Sequence, residues 1–128
     1  MPQETPYALL GGESRLRGLV DRFYDLMDSE PCFRDVRALH QRELGQAREK
    51  LFCFLSGWLD GPPLYAQKYG QPMLRARHLP FAIGIAERDQ WMACMTRAME
   101  EIGVEQNLKQ ALVQAFFKTA DFMRNRDG

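Results

Sequence analysis

The most informative part of this chain is Met73-Leu-Arg-Ala-Arg-His-Leu-Pro-Phe81, and Trp91 follows thirteen residues after its histidine. His78 lies between arginines and an apolar Leu-Pro-Phe stop, in a chain with only two histidines. This arrangement suits one imidazole presented to a metal inside an apolar slot, with cations available for an anionic rim. Neutral imidazole binds metals, and haem iron is the simplest centre with these needs. The stretch therefore makes His78 a candidate ligand of haem iron, against which the rest of the sequence has to be weighed.

Length and composition narrow the class of protein. The 128 residues predict a single domain, residues 1–128, with one sizeable core. A formal net charge of zero argues against a nucleic-acid partner, because such proteins neutralise phosphates with Lys and Arg. No apolar stretch reaches the roughly 18–20 residues that span a bilayer, and no secretory signal is visible. Three cysteines without a C-x-x-C pair indicate reduced thiols and a cytoplasmic location; they are Cys32, Cys53 and Cys94.

Apolar residues recur at helical spacing along nearly the whole chain, with no alternating strand pattern. The first long helix follows the Gly11-Gly12 break and ends before Pro31, since the residue before a proline leaves the α region. Its apolar face contains Leu16, Leu19, Val20, Phe23 and Met27. Further long helices are predicted at about 43–59, 87–102 and 106–124, and short helical turns at 32–39, 64–69 and 73–79. The chain is predicted to be all-α.

The connection between the second and third long helices is unusually long. Helical bundles join neighbours by short loops, whereas about twenty mostly irregular residues separate these two helices. A long irregular segment inside a compact domain is more often functional than not, and this one carries His78.

Three runs of sequence carry a family resemblance. They are Lys50-Leu-Phe-Cys-Phe-Leu-Ser-Gly-Trp-Leu-Asp-Gly-Pro-Pro-Leu-Tyr65, Lys68-Tyr-Gly-Gln-Pro-Met-Leu-Arg-Ala-Arg-His-Leu-Pro-Phe81 and Glu87-Arg-Asp-Gln-Trp-Met-Ala-Cys-Met95, with Phe23-Tyr24 upstream. Over roughly residues 6–123 the chain resembles the group II truncated haemoglobins. The resemblance implies a truncated globin, a two-over-two helical sandwich of helices B, E, G and H around haem b. It also implies a vestigial first helix and a largely unwound F region.

The resemblance gives roles to the residues nearest the iron. His78 matches the proximal ligand; the alternative is a histidine that hydrogen-bonds to backbone. Tyr24 and Trp91 match distal donors to a bound diatomic ligand; the alternative for each is an ordinary packed aromatic. Hydrogen bonds to a nearly charged acceptor contribute about 1.5–3 kcal/mol each, which predicts high oxygen affinity and slow release. Ala47 matches the distal position that carries histidine in full-length globins, and it cannot donate.

His40 is the departure from the family pattern with chemical consequences. It stands where the family commonly carries Phe or Tyr, so it is a candidate distal donor, a site for a water or a sixth iron ligand. The alternative is a partly exposed turn histidine. Asp60 and Gln71 also differ, replacing a common glycine and a common histidine, and affect only the loop and the haem rim.

The resemblance also implies a pocket wall and a haem rim. The expected wall residues are Phe23, Ala47, Leu51, Phe54, Leu55, Trp58, Phe81 and Met95. The expected propionate partners are Arg77, Lys50, Tyr65 and Arg75, for which the alternative is a set of solvated surface groups.

The leading function is reversible binding of oxygen or another small diatomic ligand, with oxygen transport as one use. The alternative is a haem redox enzyme with peroxidase-like, nitric oxide or nitrite chemistry, supplied by an unidentified reductase. A third alternative is a helical interaction module without haem. We expect a monomer or weak homodimer.

Overall fold

In a computed structural model that describes residues 5–126, the chain forms eight α-helices and one 3-10 turn, and no strand occurs in this range. The helices are α1 Pro6–Leu10, α2 Gly12–Ser29, α3 Arg34–Ala38, α4 Gly45–Trp58, α5 Leu64–Tyr69, α6 Leu74–His78, α7 Ile85–Ile102 and α8 Gln106–Phe122; the 3-10 turn is Pro31–Phe33. The all-α prediction is confirmed.

The four long helices form two packed pairs. Helix α2 packs against α4, α7 packs against α8, and α2 also crosses onto α7. The predicted stripe on α2 faces this core, since Leu16, Leu19, Val20 and Phe23 are fully buried. Burial of each such side chain contributes about 1.5–3 kcal/mol. The predicted two-over-two sandwich is confirmed. No helix described between residues 5 and 126 is both long enough and apolar enough to cross a membrane.

Local capping sets the bounds of α7. The helix begins at Ile85, two residues before the predicted start, because the Glu87 carboxylate accepts a hydrogen bond from the Gly84 N–H at 2.7 Å. This bond satisfies a backbone donor that the helix itself leaves unpaired. The helix ends at Gly103, whose φ of 79° lies in the left-handed region that glycine adopts without steric cost. Trp91 is thereby placed two turns inside a well-defined helix.

The turn after α4 brings α1 into close contact with the end of α4. Ser56 Oγ donates to the Pro62 carbonyl and the Gly61 N–H donates to the Ser56 carbonyl, both at 2.7 Å. A Cβ on Gly61 would lie 2.5 Å from the Tyr7 ring, so only glycine allows this approach. Asp60, which the resemblance marked as a departure, has a φ of 67°, a conformation that Asp tolerates better than most residues. The turn fixes where α5 begins.

Candidate functional site

A cavity of about 540 Å³ lies among the long helices and α6. Its volume is within the range of cofactor pockets. Thirteen of the predicted site residues line it, and these are Tyr24, His40, Ala47, Lys50, Leu51, Phe54, Leu55, Trp58, Tyr65, Arg77, His78, Phe81 and Trp91. Most of these side chains are apolar or aromatic, so the cavity suits a large and mainly apolar molecule.

His78 presents one bare ring nitrogen. Its Nδ1 lies 2.7 Å from the Leu74 carbonyl oxygen, one turn earlier in α6. A carbonyl oxygen can only accept, so Nδ1 is the donor, and in the neutral imidazole Nε2 then keeps its lone pair. A neutral imidazole whose second nitrogen is fixed by such a bond is the usual form of a metal-ligating histidine.

Tyr24 and Trp91 bring hydrogen-bond donors to the same cavity. Neither the Tyr24 hydroxyl nor the Trp91 N–H has a hydrogen-bond partner among residues 5–126. Neither group is fully enclosed, and both residues line the cavity. Burial raises the pKa of the Tyr24 phenol, which therefore remains a protonated donor at any physiological pH.

Phe23 and Met95 lie behind the cavity wall and not on it. Phe23 is fully buried and contacts both donor rings edge-on, with centroids 4.9 Å from Tyr24 and 5.2 Å from Trp91. Met95 is also fully buried within the core. Both were expected as pocket residues from the family resemblance, and the helical spacing of the apolar residues does not distinguish the cavity layer from the layer behind it. Phe23 instead fixes the two rings that carry the donors.

His40 lies on the Tyr24 side of the cavity. Its ring is 5.6 Å from the Tyr24 ring, edge-on, and its Nδ1 lies 2.9 Å from the Val36 carbonyl oxygen. Nδ1 therefore carries the proton and Nε2 is bare, as in His78. Burial lowers the pKa of His40, which keeps the ring neutral. In this form Nε2 can accept a hydrogen bond or bind a metal, but it cannot donate.

The predicted rim cations separate into two groups. Lys50 and Arg77 line the cavity, and neither forms an ion pair within residues 5–126. Arg77 lies over the Tyr65 ring at 5.5 Å and donates to the carbonyls of Tyr69 and Gln71. Arg75 does not line the cavity, because its guanidinium is bonded to carbonyls at the end of α8. The positive charge available to an anionic ligand therefore comes from Lys50 and Arg77.

Several lining residues were not predicted. Phe116 stacks on Trp58 with centroids 4.8 Å apart and meets Trp91 edge-on at 5.6 Å. The sequence feature that could have identified Phe116 as a lining residue is its place on the apolar face of α8. Arg88 also lines the cavity, but Asp89 and Asp121 already neutralise it. The other unpredicted lining residues are Val36, Leu39, Leu74, Ile83, Glu87, Thr119, Ala120 and Met123.

The residues of the cavity fit a flat, mostly apolar metal cofactor with anionic edges. One neutral imidazole offers a nitrogen for the metal, aromatic and aliphatic side chains form the walls, and two cations stand at the rim. Tyr24 and Trp91, whose donors have no hydrogen-bond partner within residues 5–126, are among the residues that line the same space. This combination defines a haem pocket.

Comparisons with known proteins agree with this class. The family model "Bacterial-like globin" matches residues 5–125, and the chain belongs to this family. Group 2 truncated haemoglobin YjbI of Bacillus subtilis is 39% identical over 122 residues, which are 95% of this chain and 89% of the relative. The cofactor of the chain is accordingly haem b, and its role is that of a globin that binds small ligands at the iron.

Solved structures show the same fold. The group II 2-on-2 haemoglobin of Agrobacterium tumefaciens has a TM-score of 0.95 and 38% identity, covering 99% of this chain and 98% of that one. A truncated oxygen-avid haemoglobin of Bacillus subtilis has a TM-score of 0.87 and 38% identity, covering 95% and 100%.

Proposed function

We propose that this globin binds dioxygen reversibly and releases it slowly. The observation that carries the proposal is that Tyr24 and Trp91, whose donors have no partner within residues 5–126, line the same cavity as His78, whose Nδ1 is bonded to the Leu74 carbonyl. Haem supplies the site at which a diatomic ligand binds. His78 would hold the iron, and Tyr24 and Trp91 would donate hydrogen bonds to a bound ligand that gains negative charge. The oxygen-avid haemoglobin of Bacillus subtilis, similar in sequence and fold, supports the same role here.

A cycle of oxygenation tests the proposal directly. We expect the reduced protein to bind oxygen stoichiometrically, to keep it through a rapid gel-filtration step and to return to the deoxygenated spectrum under argon. Hydrogen bonds from Tyr24 and Trp91 slow release because each must break before the ligand leaves. Immediate oxidation to the ferric form, with no reversible cycle, would contradict this function. Myoglobin treated in parallel controls for autoxidation during handling.

We propose further that His40 serves as an internal sixth ligand while no external ligand is present. Its bare Nε2 cannot donate to a bound ligand, which leaves metal binding or acceptance as its chemistry. The ferric protein is expected to be low-spin, and His40→Ala to convert it to high-spin, as seen by visible absorption and electron paramagnetic resonance. Tyr65→Phe, another change of a polar cavity residue, serves as the control and should leave the spin state unchanged. A high-spin wild type would contradict ligation by His40.

A second candidate function is haem redox chemistry with peroxide, nitric oxide or nitrite. The observation that favours it is again His40, because a neutral imidazole beside Tyr24 can take a proton from a peroxide. An external reductase would supply the electrons. Peroxide turnover well above that of free haemin would support this function over oxygen binding.

The three cysteines are free thiols in the structure, which supports the proposed cytoplasmic location.

A further inference from the structure

Helix α6 carries His78 but is not anchored by core packing. The helix has five residues and none of them is buried. Just beyond it, Leu79 is 53% exposed and Phe81 is 42% exposed. Helices this short are not stable by themselves, so contacts from outside must hold α6 in place. Besides the bonds of Arg77 to the Tyr69 and Gln71 carbonyls, such contacts come from residues 122–126, at the opposite end of the sequence.

Asn125 makes four hydrogen bonds to the chain between His78, the last residue of α6, and Ile83. Its Nδ2 donates to the Phe81 carbonyl at 2.8 Å and to the His78 carbonyl at 3.4 Å. Its Oδ1 accepts from the Ile83 N–H at 2.9 Å, and its own N–H donates to the Ile83 carbonyl at 2.8 Å. These partners also fix the orientation of the amide, because a donor and an acceptor are each required. One side chain thus spans the backbone from His78 to Ile83.

Arg75 provides a second attachment from α6 itself. Its Nη1 donates to the carbonyls of Phe122 at 2.8 Å and Arg124 at 2.9 Å. These carbonyls lie at the end of α8, where the helix leaves its last acceptors without internal partners. The contact therefore stabilises both the end of α8 and the position of α6.

We propose that residues 122–126 form a clamp on the segment that carries the iron ligand, and that Asn125 is a positioning residue for His78. Asn125 does not line the cavity, so it acts only through the backbone to which the imidazole is attached. The proposal rests on the assignment of His78 as the iron ligand. Removal of the clamp lets this exposed segment move. Such movement would weaken the bond between His78 and the iron and broaden the distribution of its geometries.

The test compares Asn125→Ala and Asn125→Asp with the wild type. We expect Asn125→Ala to release ferric haem to an excess of a haem-free globin about five- to thirty-fold faster, the effect of losing one or two hydrogen bonds. The iron–histidine stretching band of the ferrous protein, measured by resonance Raman, should shift and broaden. Asn125→Asp retains the acceptor but turns a carboxylate toward two carbonyl oxygens, so we expect at least as large an effect. Asn107→Ala is the matched control, because Asn107 is exposed and its side chain makes no hydrogen bond within residues 5–126.

Different outcomes would contradict the clamp and the role of His78 as the iron ligand. An unchanged Raman band and unchanged haem loss in both Asn125 variants would overturn the clamp. Absence of an iron–histidine band in the wild type would instead contradict the role of His78 and with it the proposed function. Arg75→Gln tests the second attachment independently if an Asn125 variant folds poorly. It should shift the same band in the same direction, and a wild-type band in this variant would count against the clamp.

Discussion

Replacement of His78 by glycine is expected to abolish stable haem binding. His78 is the imidazole of α6, and the Leu74 carbonyl holds it with Nε2 bare for the metal. Loss of a partner that only orients a metal ligand costs roughly 10- to 100-fold in affinity, and loss of the ligand itself should cost more. Titration of the apoprotein with haemin, followed by the Soret absorbance and by gel filtration, measures the loss.

Free imidazole adds a rescue test to this experiment. Glycine leaves a space where the ring stood, and imidazole added to the variant should occupy it, restore haem binding and restore the iron–nitrogen vibration. His40→Gly is the matched control, since it removes the other cavity histidine and should leave haem uptake intact. If His78→Gly kept both its haem and an iron–histidine band without added imidazole, the assignment of His78 would be wrong.

The helices could be located from the sequence because each long one buries a single stripe. On α7, Met95 and Ala98 are fully buried at the predicted spacing. The bounds were less certain, because they depend on individual caps. Glu87 moves the start of α7 to Ile85 through one hydrogen bond that periodicity does not encode.

The pocket was less completely predictable for a different physical reason. Arg75 and Arg77 are two residues apart in one run, yet only Arg77 lines the cavity, because Arg75 finds acceptors at the end of α8. Contacts of this kind join segments more than forty residues apart, as does the bond between Asn125 and His78. No local pattern indicates them. The residues that the motif itself contains, such as His78 and Trp91, line the cavity.

Loss of either proposed distal donor, Tyr24 or Trp91, is expected to accelerate oxygen dissociation by about ten- to 150-fold, the equivalent of one hydrogen bond of about 1.5–3 kcal/mol to a charged acceptor. Tyr24→Phe and Trp91→Phe remove the hydroxyl and the indole N–H while keeping an aromatic ring at each position. The edge-on contacts with Phe23 hold both rings, so a phenyl group can occupy much of the same place. Stopped-flow displacement of oxygen by carbon monoxide measures the rates, and the double variant reports whether the two donors act independently.

Matched controls exist for both changes within the same cavity. Tyr65→Phe removes a hydroxyl from the wall beside Arg77, and Trp58→Phe removes an indole N–H from the ring stacked on Phe116. Both should change the dissociation rate far less than their distal counterparts, since neither is assigned to the bound ligand. Equal effects for donor and control variants would mean that cavity shape, not hydrogen bonding, governs release. Unchanged rates in Tyr24→Phe and Trp91→Phe would remove both residues from ligand stabilisation and leave His40 as the remaining polar group on the distal side.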